Sequence, residues 1–399
     1  MTNLPDFRSR RFLLGHIERT VAFFHPAGLD PAGGAVNVFG PDGSIVDRTS
    51  RSLVHSCRFL FIEATAYGLF GRPEFRNGAR HMLDFLTSRH RDPETQGYAW
   101  QVDFAEGAVA GADRRNITYG LSFVVVAHAM AAKVGLGEAR AWLAEIAGTM
   151  ERQLFEPAHG LYADQASADW REIAPYRGQN ANMHACEAMI LAYEATGERW
   201  YIERAETIAR AIAERQAALS PLGQVWEHYR SDWSLDPDYN RDDQSDGYRP
   251  WGYLAGHQTE WAKLLLMLDR HLPADWHLPR ARALFDAAMA IAWDEARGGI
   301  YYSYGHDRAL YDDTKQQWVH AETLAAAAHL AAATGDPVYW DWYDRLWRYV
   351  WSHMADHRHG SWYRALNADN SVLSAIRGAP DPDYHNIGAC AEILTVLGD

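Results

Sequence analysis

A short turn-and-aromatic cassette recurs along the chain, each time after an acidic residue, and this recurrence constrains the fold more than any single motif. Five copies stand as DPAGGAVNVF from Asp30, DPETQGYAW from Asp92, EPAHGLYAD from Glu156, DEARGGIYYSY from Asp294 and DHRHGSWYRA from Asp356. A degenerate sixth, PLGQVWEHY, begins at Pro221. The copies are spaced by 62, 64, 65, 73 and 62 residues, so six similar units fill the 399-residue chain.

Between cassettes the apolar residues follow helical spacing, as in Leu13, Leu14, Ile17, Val21 and Phe24, or Leu53, Cys57, Leu60, Phe61 and Ala64. The pattern predicts about twelve helices, starting near residues 8, 51, 74, 119, 138, 183, 198, 257, 279, 318, 337 and 385. Tight turns such as GRPEF, TGERWY and TGDPVYW stop one helix and start the next, which makes the neighbours antiparallel. Five hairpins result, over 51–90, 119–155, 183–217, 257–293 and 318–355, with one unpaired helix at each end of the chain. Those two can pair and close a ring. The expectation is therefore an all-α (α/α)6 barrel, one domain over residues 1–399, with six inner helices, six outer helices and the cassette hairpins at one mouth. An open helical solenoid is the alternative. The repeat count, the two terminal helices and the lack of an interdomain linker favour closure.

Composition removes several functions. The 38 Lys and Arg against 52 Asp and Glu give a net charge of −14, which repels a phosphate backbone or an anionic membrane. The longest apolar run, 123–132, is too short to cross a bilayer and contains His128. The N-terminus, MTNLPDFRSRRFL, lacks the apolar stretch of a signal peptide. Cys57, Cys186 and Cys390 each sit among apolar residues and form neither a disulfide framework nor a CxxC site. They read as buried thiols in a reducing cytoplasm.

Six helix openings carry the polar chemistry: His55 and Arg58, Tyr119, Asn180 and His184, Arg249 with His257 and Glu260, Trp318 and Glu322, and Tyr384 and His385. A hairpin repeat keeps the inner helices parallel, so these groups converge on one mouth. Aromatic walls with a few polar groups suit a sugar. Helix N-termini also disfavour imidazolium, which predicts neutral histidines ready to remove a proton.

In GHQTEW, His257 and Glu260 stand three apart on one helical face, so the carboxylate is expected to fix the ring. In QNANMHACEAM, Asn180 aligns with His184, and Glu187 repeats the His-to-Glu spacing; Asn180 as a helix cap is the alternative. His385 opens the last helix in DYHNIGAC. His90, His159, His357 and His359 lie beside cassette turns and are expected to be exposed, with His128 and His320 as hydrogen-bonded packing residues. HExxH, GxGxxG, GxxxxGK[ST] and GxSxG are all absent. No metal or cofactor is expected, although His184, His257 and His385 offer imidazoles that the fold can bring together.

RHRDPETQGYAW, PYRGQNANMHACEAM, RPWGYLAGHQTEWAKLLL, WVHAETLAAAA and DYHNIGAC, in this order, resemble the N-acylglucosamine 2-epimerase superfamily. The likeness spans nearly the whole chain and is closest to the bacterial branch that isomerises D-mannose. It implies an (α/α)6 barrel acting on reducing sugars without a required metal. It further implies His257 and His385 as the acid/base pair with Glu260 as the partner of His257. Arg58, Tyr119, Asn180, His184 and Arg249 match sugar-binding positions, Trp318 a pocket wall, and Glu322 a further substrate contact. Asp381 stands where some relatives carry a polar amide.

The reaction so implied is aldose–ketose isomerisation of D-mannose to D-fructose, extending to D-lyxose, through a cis-enediolate. His385 would assist ring opening, His257 would carry the proton from C2 to C1, and Arg58 would stabilise the oxyanion. Alternatives within the superfamily are 2-epimerisation of cellobiose or N-acetylglucosamine and isomerisation of sulfoquinovose. Outside it stand a glycoside hydrolase, which needs a second carboxylate flanking the bond, and a noncatalytic sugar-binding protein. A monomer or homodimer with a monosaccharide as its only partner is expected.

Overall fold

The structure is a computed structural model that describes residues 4–36, 38–243, 246–373 and 382–398. The longer helices, in chain order, are α1 (Arg10–Phe24), α2 (Leu53–Phe70), α3 (Pro73–Phe85), α4 (Thr118–Lys133), α5 (Ala139–Gln153) and α6 (Gln179–Thr196). They continue with α7 (Arg199–Ala209), α8 (Ala255–His271), α9 (His277–Ala292), α10 (Gln317–Thr334), α11 (Pro337–Tyr349) and α12 (Tyr384–Leu397). Helices α2, α4, α6, α8, α10 and α12 pack each on the next, and α12 returns to α2 to close the inner ring. Helices α3, α5, α7, α9, α11 and α1 pack outside them. This is the expected (α/α)6 barrel, closed by pairing of the first and last helices.

The two rings differ because their sequences differ. In α10 every residue from Val319 to Ala331 is buried, as an inner helix flanked on all sides requires. In α3 only Phe75, Gly78, Ala79, Met82, Leu83 and Phe85 are buried, while Glu74, Asn77 and Asp84 face solvent. Gly71, Gly197 and Gly335 end α2, α6 and α10 with φ of 67°, 76° and 68°, a conformation that side chains with a Cβ disfavour. Pro73 and Pro337 then open the following outer helices, where a missing N–H costs nothing.

The cassettes fasten the site. Residues 51–52, 116–117, 177–178, 253–254 and 315–316 each run into the start of an inner helix and pair antiparallel with the following cassette. The first helical N–H of α2, α4, α6, α8 and α10 donates to a cassette carbonyl, those of Trp100, Asp164, Glu227, Tyr302 and Arg364, at 2.8–3.1 Å. Orphan helix N–H groups are thereby satisfied by backbone. Side chains at corresponding cassette positions, four residues after Gly160, Gly223 and Gly360, are Asp164, Glu227 and Arg364.

The six helix openings start within a few residues of the periodicity reading, the largest shift being α6, which begins at Gln179 rather than near 183. The three cysteines are free and buried. His128 and His320 are buried and hydrogen-bonded, to Tyr98 Oη and to the Ile300 N–H respectively. His90, expected at the surface, is instead fully buried; its ring meets the Ala99 carbonyl at 2.9 Å, because the turn of five residues after α3 folds it under the cassette. Among the described residues no helix is long and apolar enough to cross a membrane.

Candidate active site

The inner-helix openings surround a cavity of about 420 Å³ at the cassette mouth. Arg58, Tyr119, Asn180, His184, His257, Glu260, Trp318 and His385 all line it, which brings together helices distant in sequence. Trp318 forms the wall between the histidines: its ring lies 4.9 Å from that of His257 and 5.8 Å from that of His385, centroid to centroid. Gly256 makes this possible, since a Cβ there would stand 2.5 Å from Trp318 Cζ3.

Three imidazoles share one arrangement. His257 Nδ1–H donates to Glu227 Oε1 at 2.8 Å, His184 Nδ1–H to Glu187 Oε2 at 3.0 Å, and His385 Nδ1–H to Glu322 Oε1 at 2.7 Å. For His257 the tautomer follows from the surrounding chain of donors. Trp261 Nε1 donates to Gln179 Oε1 at 2.8 Å, which turns the Gln179 amide nitrogen toward both Glu227, at 2.9 Å, and His257 Nδ1, at 2.8 Å. A carboxylate oxygen only accepts, so Nδ1 as the donor to Glu227 leaves the Gln179 N–H groups to the carboxylate. For His385 the argument is independent: Arg58 Nη2, which only donates, stands 3.2 Å from Nε2, so Nε2 carries the lone pair. His385 therefore keeps its lone pair on Nε2, on the side away from Glu322, and His257 and His184 make the same Nδ1–carboxylate contact.

Burial, partly offset by Glu322 and reinforced by Arg58, lowers the His385 pKa to about 4. His184 is lowered for the same first reason, against the opposing pull of Glu187. Neutral imidazoles are thus available near pH 7. Helix N-termini point the same way, but desolvation is the dominant cause.

The pairing of His257 with Glu260 is not made. Glu260 sits one turn deeper on α8, its two carboxyl oxygens buried and without a hydrogen-bond partner. Burial and the nearby Glu322 and Glu187 push its pKa well above the usual carboxylate range, so it is a neutral acid facing the cavity. The identical spacing on α6 does yield a contact, His184 to Glu187. The difference is the cassette: Glu227, just before the strand His228–Tyr229, reaches His257 and takes the position that Glu260 was expected to fill.

Two other expected substrate contacts lie elsewhere. Glu322 does not line the cavity; it stands behind His385 as the acceptor of Nδ1–H. Arg249 is turned aside by a buried acid, its Nη2 donating to Asp164 Oδ2 at 2.7 Å and its guanidinium lying 4.0 Å over the Tyr176 ring. The neighbouring Tyr248 reaches the cavity instead and packs on Tyr119 at 5.2 Å. Asn180 is no cap: it is the second residue of α6, with Gly178 at the cap, and its buried Oδ1 is unpartnered beside the cavity. Arg58 Nη2 also donates to Tyr119 Oη at 3.1 Å, and its guanidinium packs over Phe123 and Tyr384. Asp381 lies outside the described residues.

Glu227, Gln179, Tyr248 and Lys263 were not singled out from sequence. Glu227 had a usable signal, its place in the degenerate cassette at the offset where Asp164 stands in its own. Two groups, His184 with Glu187 and Glu260, and Glu260 with Glu322 and His385, bring ligand-type atoms within 4.8 Å of one another. A cation there would compete with the Lys263 ammonium, already 2.5 Å from Glu322 Oε2, and with the imidazole N–H bonds to Glu187 and Glu322.

The closed (α/α)6 barrel thus carries three carboxylate-backed imidazoles at one mouth. The N-acylglucosamine 2-epimerase (GlcNAc 2-epimerase) family model matches residues 33–389, and the chain belongs to that family. Among its relatives, the D-mannose isomerase of Marinomonas mediterranea is 44% identical over 394 residues, 98% of this chain and 99% of the relative. A crystal structure of D-mannose isomerase superposes with a TM-score of 0.95 at 44% identity, covering 98% of this chain and all of the other. Cellobiose 2-epimerase from Spirochaeta thermophila shares the fold, with a TM-score of 0.86 at 22% identity over 100% of this chain and 98% of the other.

Proposed function

We propose that this chain is an aldose–ketose isomerase interconverting D-mannose and D-fructose. One observation carries the reading: two imidazoles, His257 and His385, each donate Nδ1–H to a buried carboxylate and share a sugar-sized cavity with an arginine between aromatic rings. The full-length likeness to an enzyme named D-mannose isomerase supports the choice of sugar.

Isomerisation moves one proton from C2 to C1 on a single face. His257 Nε2 takes the C2 proton and returns it to C1, the O2 hydroxyl proton passes to O1 across the cis-enediolate, and Glu227 stabilises the imidazolium that forms between the two carbon steps. His385 Nε2, held by Glu322, assists ring opening. Arg58, already donating toward Tyr119 and His385, stabilises the enediolate oxygen. Glu260, as a neutral acid, donates a hydrogen bond to a sugar oxygen. Trp318, tilted by about 40° to both histidine rings, is the sugar's wall, and Tyr119, Asn180, His184 and Tyr248 line the hydroxyl positions. Arg249 joins these contacts only by leaving Asp164.

Epimerisation is the second reading. It needs the proton delivered to the opposite face of C2, and the presence of two basic Nε2 atoms permits it. Incubation with mannose in D₂O and EDTA separates the two. Fructose labelled at C1 supports isomerisation, glucose labelled at C2 supports epimerisation, and the absence of any turnover sinks both. Loss of activity on chelation would defeat the metal-free mechanism. Three free thiols fit a reducing compartment, and we assign the protein to the cytoplasm as a monomer or homodimer.

A further inference from the structure

Below the imidazoles lies a buried layer of charge. Lys263, three residues after Glu260 on α8, is 5% exposed and extends its ammonium into this layer. Nζ stands 2.5 Å from Glu322 Oε2, 3.8 Å from Glu187 Oε1 and 4.0 Å from Glu260 Oε1. Glu322 and Glu187 are the carboxylates that hold His385 and His184, so a single ammonium ties together the supports of two imidazoles from three different helices.

Three carboxyl groups this close and this buried cannot all ionise at no cost. An ammonium among them stabilises two anions and leaves the third group to keep its proton. Geometry decides which group that is. Glu322 accepts from Lys263 and His385, and Glu187 accepts from His184 and from Tyr384 Oη at 2.6 Å, whereas neither oxygen of Glu260 has a hydrogen-bond partner and Lys263 Nζ stays 4.0 Å away.

We infer that Lys263 is a positioning residue of the reaction, acting through Glu322 and Glu187 to keep them ionised behind His385 and His184 and so leaving the proton on Glu260, at the sugar. Burial raises the Glu322 and Glu187 carboxyls, but Lys263 and the imidazole bonds reverse this and hold both below the ordinary range. Lys263 touches no sugar on this assignment. The inference rests on the acid–base reading above and not on the identity of the sugar.

A second cavity supplies the test. It opens at the opposite mouth of the barrel, has a volume of about 300 Å³, and reaches Lys263, Glu187 and Glu322 from behind, past Phe61 and Met267. Truncation by Lys263→Ala removes a propylammonium-sized fragment next to this cavity, so n-propylammonium can be offered as a replacement with n-propanol as the uncharged control. Lys263→Met, which keeps the length without the charge, guards against a cavity effect.

Both variants are expected to lose about 10²-fold in kcat, the scale of a misplaced catalytic group, with KM within about threefold of the parent. n-Propylammonium should restore kcat of Lys263→Ala saturably, leaving parent and Lys263→Met unchanged, and n-propanol should not. The inference is overturned if either variant keeps near-parental kcat, if only melting temperature falls while kcat per folded molecule is retained, or if propylammonium restores nothing. All ratios are taken on whichever sugar the parent converts, mannose, cellobiose or N-acetylglucosamine. A parent inactive on mannose therefore counts against the proposed substrate alone.

Discussion

Glu227 and His257 are 30 residues apart in the chain, yet Glu227 Oε1 accepts the His257 Nδ1–H at 2.8 Å, so a cassette residue orients a base carried by a helix. Replacing the acceptor by an amide, Glu227→Gln, keeps the shape and removes the charge that stabilises imidazolium. It also sets two amides, positions 179 and 227, against each other. The expected result is a loss of kcat of about 10²-fold or more with a near-parental circular dichroism spectrum. A Glu227→Gln enzyme of parental kcat would mean that His257 does not pass through a charged state.

His257→Ala and His385→Ala should each abolish measurable turnover and leave helicity intact, since acid–base groups contribute typically about 10²–10⁴-fold. Steady-state kinetics on purified, folded variants checks this. If either variant retains near-parental kcat, its assigned role is wrong.

Arg58 is one of the charges that hold the His385 pKa down to about 4. Removing it by Arg58→Ala makes protonation easier, so the acid limb of the kcat profile should move to higher pH. KM should rise at the same time, because the guanidinium also lines the cavity. An acid limb unmoved between parent and variant would separate Arg58 from His385.

Gly256→Ala places a methyl group against the indole of Trp318. The ring must shift away from the two histidines it touches, so mannose KM should rise several-fold and urea stability should fall by about 1–3 kcal/mol. Parental values of both would show that the wall yields without consequence.

Acid should unfold the protein early. Burial is the first cause lowering His16, His90, His228, His320 and His385 to about 4, and His128 to about 3, from 6.5. The unfolded chain binds these protons first, so the associated stability is complete above pH 6.5 and is lost as pH falls. Each such imidazole accounts for up to roughly 3 kcal/mol by pH 4. Against a total of about 5–15 kcal/mol, the unfolding midpoint should lie between pH 6.5 and 4. A protein still folded below pH 4 by circular dichroism would contradict these burial assignments.

Much of this was legible because repetition and helical periodicity are both local signals. The cassette spacing set the number of units, and the positions of His257 and His385 at helix starts followed. Partner choice was not local. Sequence spacing treats His257–Glu260 and His184–Glu187 alike, yet only the second pair meets, because Glu227 of the preceding cassette reaches His257 first. His90 was misread for a related reason: a turn that looks exposed in the chain is roofed by the cassette it introduces. Arg249 depended on Asp164, a buried acid in a different cassette. Lys263 gave no sign at all, since one lysine before LLLML reads as the polar edge of a helix until the inner ring closes around it.

The backbone pairing that joins each inner-helix start to the next cassette divides labour between two parts of the molecule. Reactive nitrogens are carried on a scaffold whose register is set by main-chain hydrogen bonds, which side-chain replacement leaves intact. The connections beyond those short ladders, such as the one bearing Tyr248, are free to lengthen or change composition without disturbing that scaffold. Selectivity for a different sugar can then arise by rewriting the roof while the proton-handling floor stays as it is.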